Sequence, residues 1–431
     1  MRYTPLDKEV FINNRSRLRK LLPKNSMAVL NANDVMPTNA DGNMRFRTNN
    51  DQYYLSGVDQ EDSILVIAPD FPDERLREVL FLKETNDEIA IWEGAKLTKE
   101  QATQRSGVRT VKWLGEFEKT FRTMMMETET IFLNTNEHIR AVTTVETRDA
   151  RFIKETRQQY PLHHYRRIAP LMHDLRAVKS AAELKMMERA CDITEKGFRR
   201  VLKYVKPGVK EYEVEAEYLH EFIRHGSRGF AYDPIIAGGF NACVLHYTDN
   251  SMELKDGDLM LMDVGAEYGN YNADMSRTIP VNGRFTQRQR QVYDAVLRVM
   301  KEAMELLTPG NNIPDYHREV GKLMERELLG LKLLDTTDVR TQNPDWPAYK
   351  KYFMHGTSHH IGLDVHDVGN VYKEIKPGMV FTVEPGIYIR EENIGIRLEN
   401  DIVVRENGYT DLMANIPLEA EEIEEVMNSR P

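Results

Sequence analysis

Short apolar runs separated by polar stretches dominate the first part of the chain. The runs are rich in leucine and β-branched residues, a pattern typical of buried strands. Four of them are MAVLNA, SILVIAP, VLFLK and IFLNT. The segment TKEQATQRSG predicts a helix that begins at Thr98. The alternation predicts an α/β domain over residues 1–174, and neither a dinucleotide-binding fingerprint nor a phosphate-binding P-loop motif occurs in it.

Longer patterns with helical spacing begin near residue 179. Ser180 with Glu183, and Thr286 with Gln289, each have the spacing of a capping box ahead of a long helical pattern. Each long helix is followed by a second helix and then by a strand-rich stretch. This repeat predicts an α+β domain over residues 175–431 with an internal pseudo-twofold. The predicted helices cover roughly residues 181–205, 210–225, 287–308 and 314–328.

Two acidic residues occupy matching places in the first strand-rich stretch. Asp263 follows the apolar run DLMLM, and Asp274 lies in the return strand. A two-residue turn at Tyr268-Gly269 would make the two carboxylates direct neighbours across an antiparallel hairpin. Like charges in that position destabilise a sheet, so a counter-charge is expected.

A second pair of acids has the same arrangement. Glu384 follows the apolar run MVFTV, and Glu399 lies in the return strand beyond a turn centred on Glu391-Glu392. An unpaired charge at the end of a buried strand costs several kcal/mol. Four acids in one apolar pocket would therefore require cations, and a pair of divalent ions satisfies the requirement. Oxygen-rich sites with an imidazole suit Mn²⁺, Co²⁺, Fe²⁺ or Zn²⁺, and paired ions of this kind occur in aminopeptidases.

Histidines cluster between the two acidic pairs. The segment MHGTSHHIGLDVHDVG contains four, and VLHYTDN contains a further candidate. A lone histidine is more often a hydrogen-bonded core residue than a ligand, and periodicity does not choose among these five. The candidates are His246, His355, His359, His360 and His366.

Composition narrows the class of protein. The chain has 431 residues, a formal net charge of −10 and 41% hydrophobic residues, which indicates a globular protein of at least two domains. The acidic balance argues against nucleic acid or an anionic membrane as the main partner. The only cysteines are Cys191 and Cys243, and neither a signal pattern nor a membrane-length apolar run is present. A cytoplasmic protein is therefore expected.

Several segments closely resemble the Xaa-Pro aminopeptidases (aminopeptidase P) of metallopeptidase family M24B, which adopt the pita-bread fold. In the second half the resemblance covers VLHYTDN, KDGDLMLMDVGAEYGNYNADMSRTIPVNGRF, FMHGTSHHIGLDVHDVG, KPGMVFTVEPGIYI and GIRLENDIVV. In the first half RTNNDQYYLSGV resembles the creatinase-like N-terminal domain of that family. The resemblance implies a creatinase-like α/β domain followed by a pita-bread catalytic domain.

The resemblance also implies roles for particular residues. Asp274 and Glu399 would bridge the two metals, and Glu384 would act as both ligand and proton shuttle. His246 and His366 would contact the substrate and act in catalysis, whereas His360 lies outside the implied site. The implied metal ligands are Asp263, Asp274, His359, Glu384 and Glu399. The implied substrate contacts are His246, His355, His366 and Arg397.

The implied activity is hydrolysis of the N-terminal residue from peptides with proline in the second position. Two divalent ions would serve it, Mn²⁺ first, with Co²⁺ or Zn²⁺ as alternatives, and relatives lead us to expect a homodimer or homotetramer. The nearest alternative is an Xaa-Pro dipeptidase (prolidase). Methionine aminopeptidase lacks the N-terminal domain, whereas the metal-free creatinases and non-catalytic pita-bread proteins would be expected to lack these acids.

Overall fold

The computed structural model describes residues 2–142 and 144–429. These residues form two compact units, one within residues 6–176 and one that combines residues 2–5 with residues 177–429. The boundary expected between residues 174 and 175 lies inside a helix, Ala169–Ala177, and stays a prediction.

A six-stranded mixed sheet forms the centre of the first unit. Its strands are β1 (Ser26–Asn31), β2 (Ile64–Ile67), β3 (Glu78–Leu82), β4 (Thr110–Trp113), β5 (Thr130–Leu133) and β6 (His164–Arg167). They lie in the order β4-β3-β2-β1-β5-β6. The four strands predicted from apolar runs are confirmed as β1, β2, β3 and β5.

The sequence does not predict β4 and β6, and their place in the sheet explains why. Both are edge strands; β4 is half-buried, and β6 is largely exposed. Edge strands pack less apolar surface and often carry charged side chains. Their sequences, TVKW and HYRR, therefore lack the apolar run on which the prediction depended.

Seven helices accompany this sheet among the described residues of the first unit. They are α1 (Lys8–Arg19), α2 (Asn50–Ser56), α3 (Asp87–Glu93), α4 (Lys99–Ser106), α5 (Phe117–Met125), α6 (Arg148–Gln159) and α7 (Ala169–Ala177). Thr98 is the N-cap of α4 and accepts the backbone N–H of Gln101, which confirms the predicted helix start. Helix α5 buries Phe117, Phe121 and Met124 in the core against the sheet.

The helices of the second unit follow the predicted repeat. They are α8 (Ala181–Tyr204), α9 (Glu211–Arg224), α10 (Gln287–Leu306), α11 (Ile313–Gly330), α12 (Thr336–Arg340) and α13 (Ala420–Asn428). Both predicted capping boxes are present, with Ser180 ahead of α8 and Thr286 ahead of α10. The acidic C-terminal helix α13 nevertheless buries Ile423 and Met427. Within the described ranges, none of the chain's helices combines the length and apolarity needed to cross a membrane.

Two sets of strands complete the second unit. The first set follows α8 and α9, and the second follows α10 to α12, which confirms the predicted helix–helix–strand repeat. The strands are β7 (Ile235–Gly238), β8 (Leu259–Val264), β9 (Glu267–Tyr268), β10 (Tyr271–Asn272), β11 (Met275–Pro280), β12 (Val380–Val383), β13 (Gly386–Ile389), β14 (Ile394–Arg397), β15 (Asn400–Val404) and β16 (Tyr409–Asp411). Two three-stranded sheets have the strand orders β11-β8-β7 and β12-β15-β16, and two further hairpins pair β9 with β10 and β13 with β14.

Candidate metal centre

The first acidic hairpin has a register two positions from the predicted one. Strands β8 and β11 pair Asp263 with Ser276, so the predicted direct pairing of Asp263 with Asp274 was wrong. The turn is centred on Gly269-Asn270, where φ is 60° and 71°. Both central residues of a type I′ turn need such left-handed values, which glycine and asparagine adopt most readily. Because side chains alternate along a strand, a shift of two leaves both carboxylates on one face as diagonal neighbours.

The second acidic hairpin has the predicted register. The β12–β15 and β13–β14 ladders lie on either side of Glu384 and Glu399. The residue numbers of paired residues have the same sum in both ladders, so no residue is inserted between them on either strand. The two glutamates therefore occupy opposite positions, and the turn is centred on Glu391-Glu392 as predicted. Between the ladders, the Glu384 N–H donates to Thr357 O (2.8 Å) and the Glu399 N–H donates to Ser276 O (3.0 Å). The second bond links the two hairpins at the position of the acids.

Three predicted ligands meet in one cluster. Ligand atoms of Asp274, His359 and Glu399 all lie within 4.8 Å of one another. His359 Nε2 is 3.5 Å from Asp274 Oδ2 and 3.7 Å from Glu384 Oε1. His359 Nδ1 lies 2.9 Å from the carbonyl oxygen of His360. A carbonyl only accepts, so Nδ1 carries the hydrogen and Nε2 presents a lone pair to the acids.

Asp263 joins this cluster through two side chains. The Tyr232 hydroxyl lies 2.6 Å from Asp263 Oδ1 and 2.5 Å from Asp274 Oδ1. The Arg397 guanidinium donates from Nη2 to Asp263 Oδ2 at 2.6 Å, from Nε to Ser276 Oγ at 2.8 Å and from Nη1 to the Tyr388 hydroxyl at 2.9 Å. Arg397 therefore orients Asp263 and supplies a single positive charge beside four carboxylates.

Burial and mutual repulsion dominate the electrostatics of the acids. Burial, followed by the neighbouring carboxylate Asp263, raises the pKa of Asp274 well above its usual range. Burial and the charges of Asp274 and Glu384 do the same to the pKa of Glu399. Burial raises the pKa of Glu384 to about 7, although His359 and Arg397 oppose the shift. The protein's own side chains therefore supply too little positive charge to balance the four carboxylates.

The donor set fits divalent cations. Carboxylate oxygens and one imidazole nitrogen are the ligands that Mn²⁺, Co²⁺ and Zn²⁺ accept. The carboxylates of Asp274 and Glu399 are almost fully buried, and Arg397 alone does not balance the four acids. Cations at this position would supply the missing charge, and each of the five predicted ligands has its side chain in the cluster or in contact with it.

The remaining histidines surround this cluster at different depths. The rings of His359 and His366 are 4.4 Å apart and nearly perpendicular, and His366 is exposed. His355 Nε2 lies 2.8 Å from the Tyr388 hydroxyl, and burial, followed by the charge of Arg397, lowers the pKa of His355 to about 3. His246 is exposed and close enough to act electrostatically on His355. His360, which the sequence leaves outside the site, packs on Phe381 at 4.3 Å.

Sequence reasoning missed several residues that hold the acids in place. Tyr232 lies in a bend ahead of β7 and Ser276 lies in β11, and nothing in their sequence surroundings distinguishes them. Asp401 had a usable signal, because it is an acid inside an apolar strand. It is fully buried, and its Oδ2 accepts the Asp274 N–H at 3.1 Å.

Comparisons with known proteins agree with this architecture. Residues 185–406 match the model of metallopeptidase family M24, and residues 11–132 match the aminopeptidase P N-terminal domain. The chain is 35% identical to an Xaa-Pro aminopeptidase of Escherichia coli, over 98% of each chain. It is 30% identical to Xaa-Pro aminopeptidase 3 of Homo sapiens, over 88% of this chain and 76% of the human protein.

Solved structures show the same similarity. A Bacillus anthracis structure described as an aminopeptidase P aligns with a TM-score of 0.92 at 34% identity, over 99% of each chain. A zinc-substituted Escherichia coli aminopeptidase P, solved in complex with product, aligns with a TM-score of 0.87 at 34% identity, over 98% of this chain and 99% of that one. With both of its domains matched, the chain belongs to metallopeptidase family M24, within the group that carries an aminopeptidase P N-terminal domain.

Proposed function

We propose that this protein is an Xaa-Pro aminopeptidase, which removes the N-terminal residue from peptides that have proline in the second position. The observation that carries the proposal is the cluster of Asp274, His359 and Glu399 beside Asp263 and Glu384. It occurs in a chain whose first unit matches the aminopeptidase P N-terminal domain.

Five residues would hold two divalent cations in this proposal. Asp274 and Glu399 are the most buried of the acids and would be shared between the two ions. Mn²⁺ is proposed as the native metal, and Co²⁺ or Zn²⁺ would suit the same donors. When bound, the cations would act as Lewis acids that polarise the scissile carbonyl. The proposed ligands are Asp263, Asp274, His359, Glu384 and Glu399.

Glu384 is proposed as the group that moves the proton. Its carboxylate is half-buried, so a substrate can reach it, and it lies 3.7 Å from His359 and 3.8 Å from His355. The leaving nitrogen of proline is a tertiary amide without an N–H, and it must gain a proton to leave as an amine. The water that attacks the scissile carbonyl gives up a proton, and the Glu384 carboxylate can accept that proton and pass it to the nitrogen as the C–N bond breaks.

His246 and His366 are proposed to bind the substrate carbonyl and the oxyanion that develops from it. Both rings are exposed; His366 packs on His359, and His246 is close enough to act electrostatically on His355. An N–H of either ring can donate to a bound peptide. His355 and Arg397 are proposed as further substrate contacts. Each terminal nitrogen of Arg397 has one N–H left after its bonds to Asp263 and Tyr388.

Replacing Asp274 with alanine tests the function and the metal site together. We expect the variant to lose bound metal and to lose at least about a thousandfold in turnover of an Xaa-Pro-Pro peptide. Metal content by elemental analysis, before and after stripping and refilling with Mn²⁺, Co²⁺ or Zn²⁺, gives the stoichiometry and the preferred ion. Wild-type turnover by the variant would remove the basis of the proposal.

Paired substrates separate this activity from that of a prolidase. An Xaa-Pro aminopeptidase should cleave an Xaa-Pro-Yaa-Zaa peptide, whereas a prolidase should cleave only the Xaa-Pro dipeptide. Cleavage restricted to the dipeptide would therefore assign the protein to the alternative class.

A cytoplasmic location is also proposed, supported by the free thiols of both cysteines. The expected homodimer or homotetramer stays a prediction that analytical ultracentrifugation would test.

A further inference from the structure

The segment that carries His246 has an unusual support. It runs from the end of β7 to Met252 and includes a short 3₁₀ turn, Gly239–Cys243. His246 is exposed, and in the part of the chain that the structure describes no hydrogen bond holds its ring. The direction in which the imidazole points therefore depends on how the segment's backbone is anchored.

One buried carboxylate anchors both ends of this segment. Glu211, the first residue of α9, is fully buried. Its Oε1 accepts the Gly238 N–H at 2.8 Å, where the segment begins. Its Oε2 accepts the Met252 N–H at 2.9 Å, where the segment ends. The Glu211 backbone N–H donates in return to Met252 O at 3.0 Å, so the contact with Met252 is reciprocal.

The same carboxylate also holds the residue next to His246. The Tyr247 hydroxyl donates to Glu211 Oε2 at 2.7 Å and accepts the Ser251 N–H at 3.4 Å. Asn241 Nδ2 completes the set, 3.4 Å from Glu211 Oε1. His246 is an exposed turn residue between Leu245 and Tyr247, which both pack inwards against an apolar cluster. Because Glu211 holds the Tyr247 side chain in place, the backbone that carries the outward-facing imidazole is fixed.

This contact requires a carboxylate. Two oxygens with four lone pairs accept four donors, and no basic side chain pairs with Glu211 among the described residues. The position at the N-terminus of α9 favours the negative charge. A glutamine has a single acceptor oxygen, and its amide nitrogen would face two of the four donors. If apolar packing alone held this segment, a charged group at position 211 would not be required.

We propose that Glu211 is a positioning residue for the aminopeptidase reaction: it fixes the segment 238–252 so that His246 is presented to the substrate. The inference rests on the proposed function, and in particular on the role of His246. Glu211 does not touch substrate or metal in this proposal. It acts through the backbone of the segment and through Tyr247.

A double-mutant cycle tests the proposal. We expect Glu211→Gln to lower kcat/KM for an Xaa-Pro peptide by about 10- to 100-fold, and to have no further effect when His246→Ala is already present. Glu183→Gln is the matched control, because Glu183 is buried at the start of α8 and also accepts a backbone N–H and a tyrosine hydroxyl. Its effect should be the same with and without His246.

Amide hydrogen exchange on the metal-free protein supplies a readout that does not depend on activity. Glu211→Gln should speed exchange selectively in segment 238–252, and Glu183→Gln should leave that segment unchanged. If Glu211→Gln fails to fold, Tyr247→Phe removes one of the four donors and should produce a smaller change of the same kind. Tyr293→Phe, which removes a hydroxyl bonded to Leu418 O at 2.7 Å, is its control.

The possible outcomes are separable. Equal losses from Glu211→Gln with and without His246, or unchanged exchange in segment 238–252, would overturn the positioning role and leave the proposed function intact. Wild-type kinetics for His246→Ala would overturn the role of His246 and this inference with it. Absence of Xaa-Pro cleavage by the wild-type protein would overturn the proposed function itself.

Discussion

Individual residues of the candidate site differed in how far they could be predicted from the sequence. Asp263 and Glu384 could be predicted because a charge at the end of an apolar strand is costly without a partner. The choice of His359 among five histidines came from the family resemblance, not from spacing. Tyr232 could not be predicted, because its role arises only when the fold brings a distant segment to Asp263 and Asp274.

Glu399 should reduce the stability of the metal-free protein. It is buried beside like charges, so Glu399→Gln should raise the free energy of unfolding of the metal-free protein at pH 8 by roughly 1–3 kcal/mol. Glutamine keeps an oxygen to accept the Ser276 hydroxyl. Added Mn²⁺ should then stabilise the wild type and have little effect on the variant, as measured by thermal unfolding. The exposed Glu391→Gln is the control, and a less stable metal-free Glu399→Gln would contradict the electrostatic argument.

Tyr232 should tune metal affinity. Its hydroxyl has one hydrogen and two carboxylate neighbours, so it orients both acids without neutralising either. Tyr232→Phe should weaken metal binding by about 10- to 100-fold, as measured by calorimetric titration of stripped protein. Tyr218→Phe is a matched control, because among the described residues that buried hydroxyl hydrogen-bonds only to the sulfur of Met262, at 3.5 Å. Unchanged metal affinity in Tyr232→Phe would show that Asp263 and Asp274 do not need the Tyr232 hydroxyl to keep their orientation.

At the scale of elements, helices were easier to predict than strand pairings. The capping boxes at Ser180 and Thr286 are local signals, and both helix starts are confirmed. Register depends on which residues can adopt positive φ at a turn. The predicted pairing of the first hairpin was therefore two positions from the observed one, because the turn forms at Gly269-Asn270 and not at Tyr268-Gly269. The edge strands β4 and β6 could not be predicted, since edge strands need no apolar run.

The turn at Gly269 should be intolerant of a side chain. Gly269 has φ of +60°, and a Cβ there would lie 2.2 Å from the Met186 methyl carbon. Gly269→Ala should destabilise the protein by about 1–3 kcal/mol, mainly because a residue with a Cβ is strained at this φ, and the flexible end of Met186 must also move aside. Gly330→Ala is the control, since a Cβ there meets nothing within 4 Å. Equal chemical denaturation midpoints for the two variants would contradict this account of the hairpin.

At the scale of the whole molecule, the helix–helix–strand repeat of the second unit could be predicted from the sequence, whereas only part of the element order of the first unit could. The pita-bread identity came from family resemblance. The periodic pattern indicates where apolar strands and long helices form but not how they pack, because packing depends on contacts between residues far apart in the chain.

The first unit should have its own pH dependence. Burial raises the pKa of Asp149 to about 7, although a hydrogen bond from Asn31 opposes the shift. The folded form thus holds its proton more tightly than the unfolded chain, and this group's contribution to stability is lost as pH rises from about 4 through 7. Asp149→Asn should be more stable than wild type at pH 8 by roughly 1–3 kcal/mol and little different at pH 4. An equal difference at both pH values would rule out this titration as the cause.

The continuous register of the two ladders around Glu384 and Glu399 limits where the length of this hairpin can change. The connection at residues 390–393 lies at the far end of β13 and β14, so its length can change without moving either acid. A single deletion within β13 or β14 would instead turn one glutamate to the opposite face. Relatives should therefore differ freely in the tip of this hairpin and keep an invariant number of residues between each glutamate and the base of the tip.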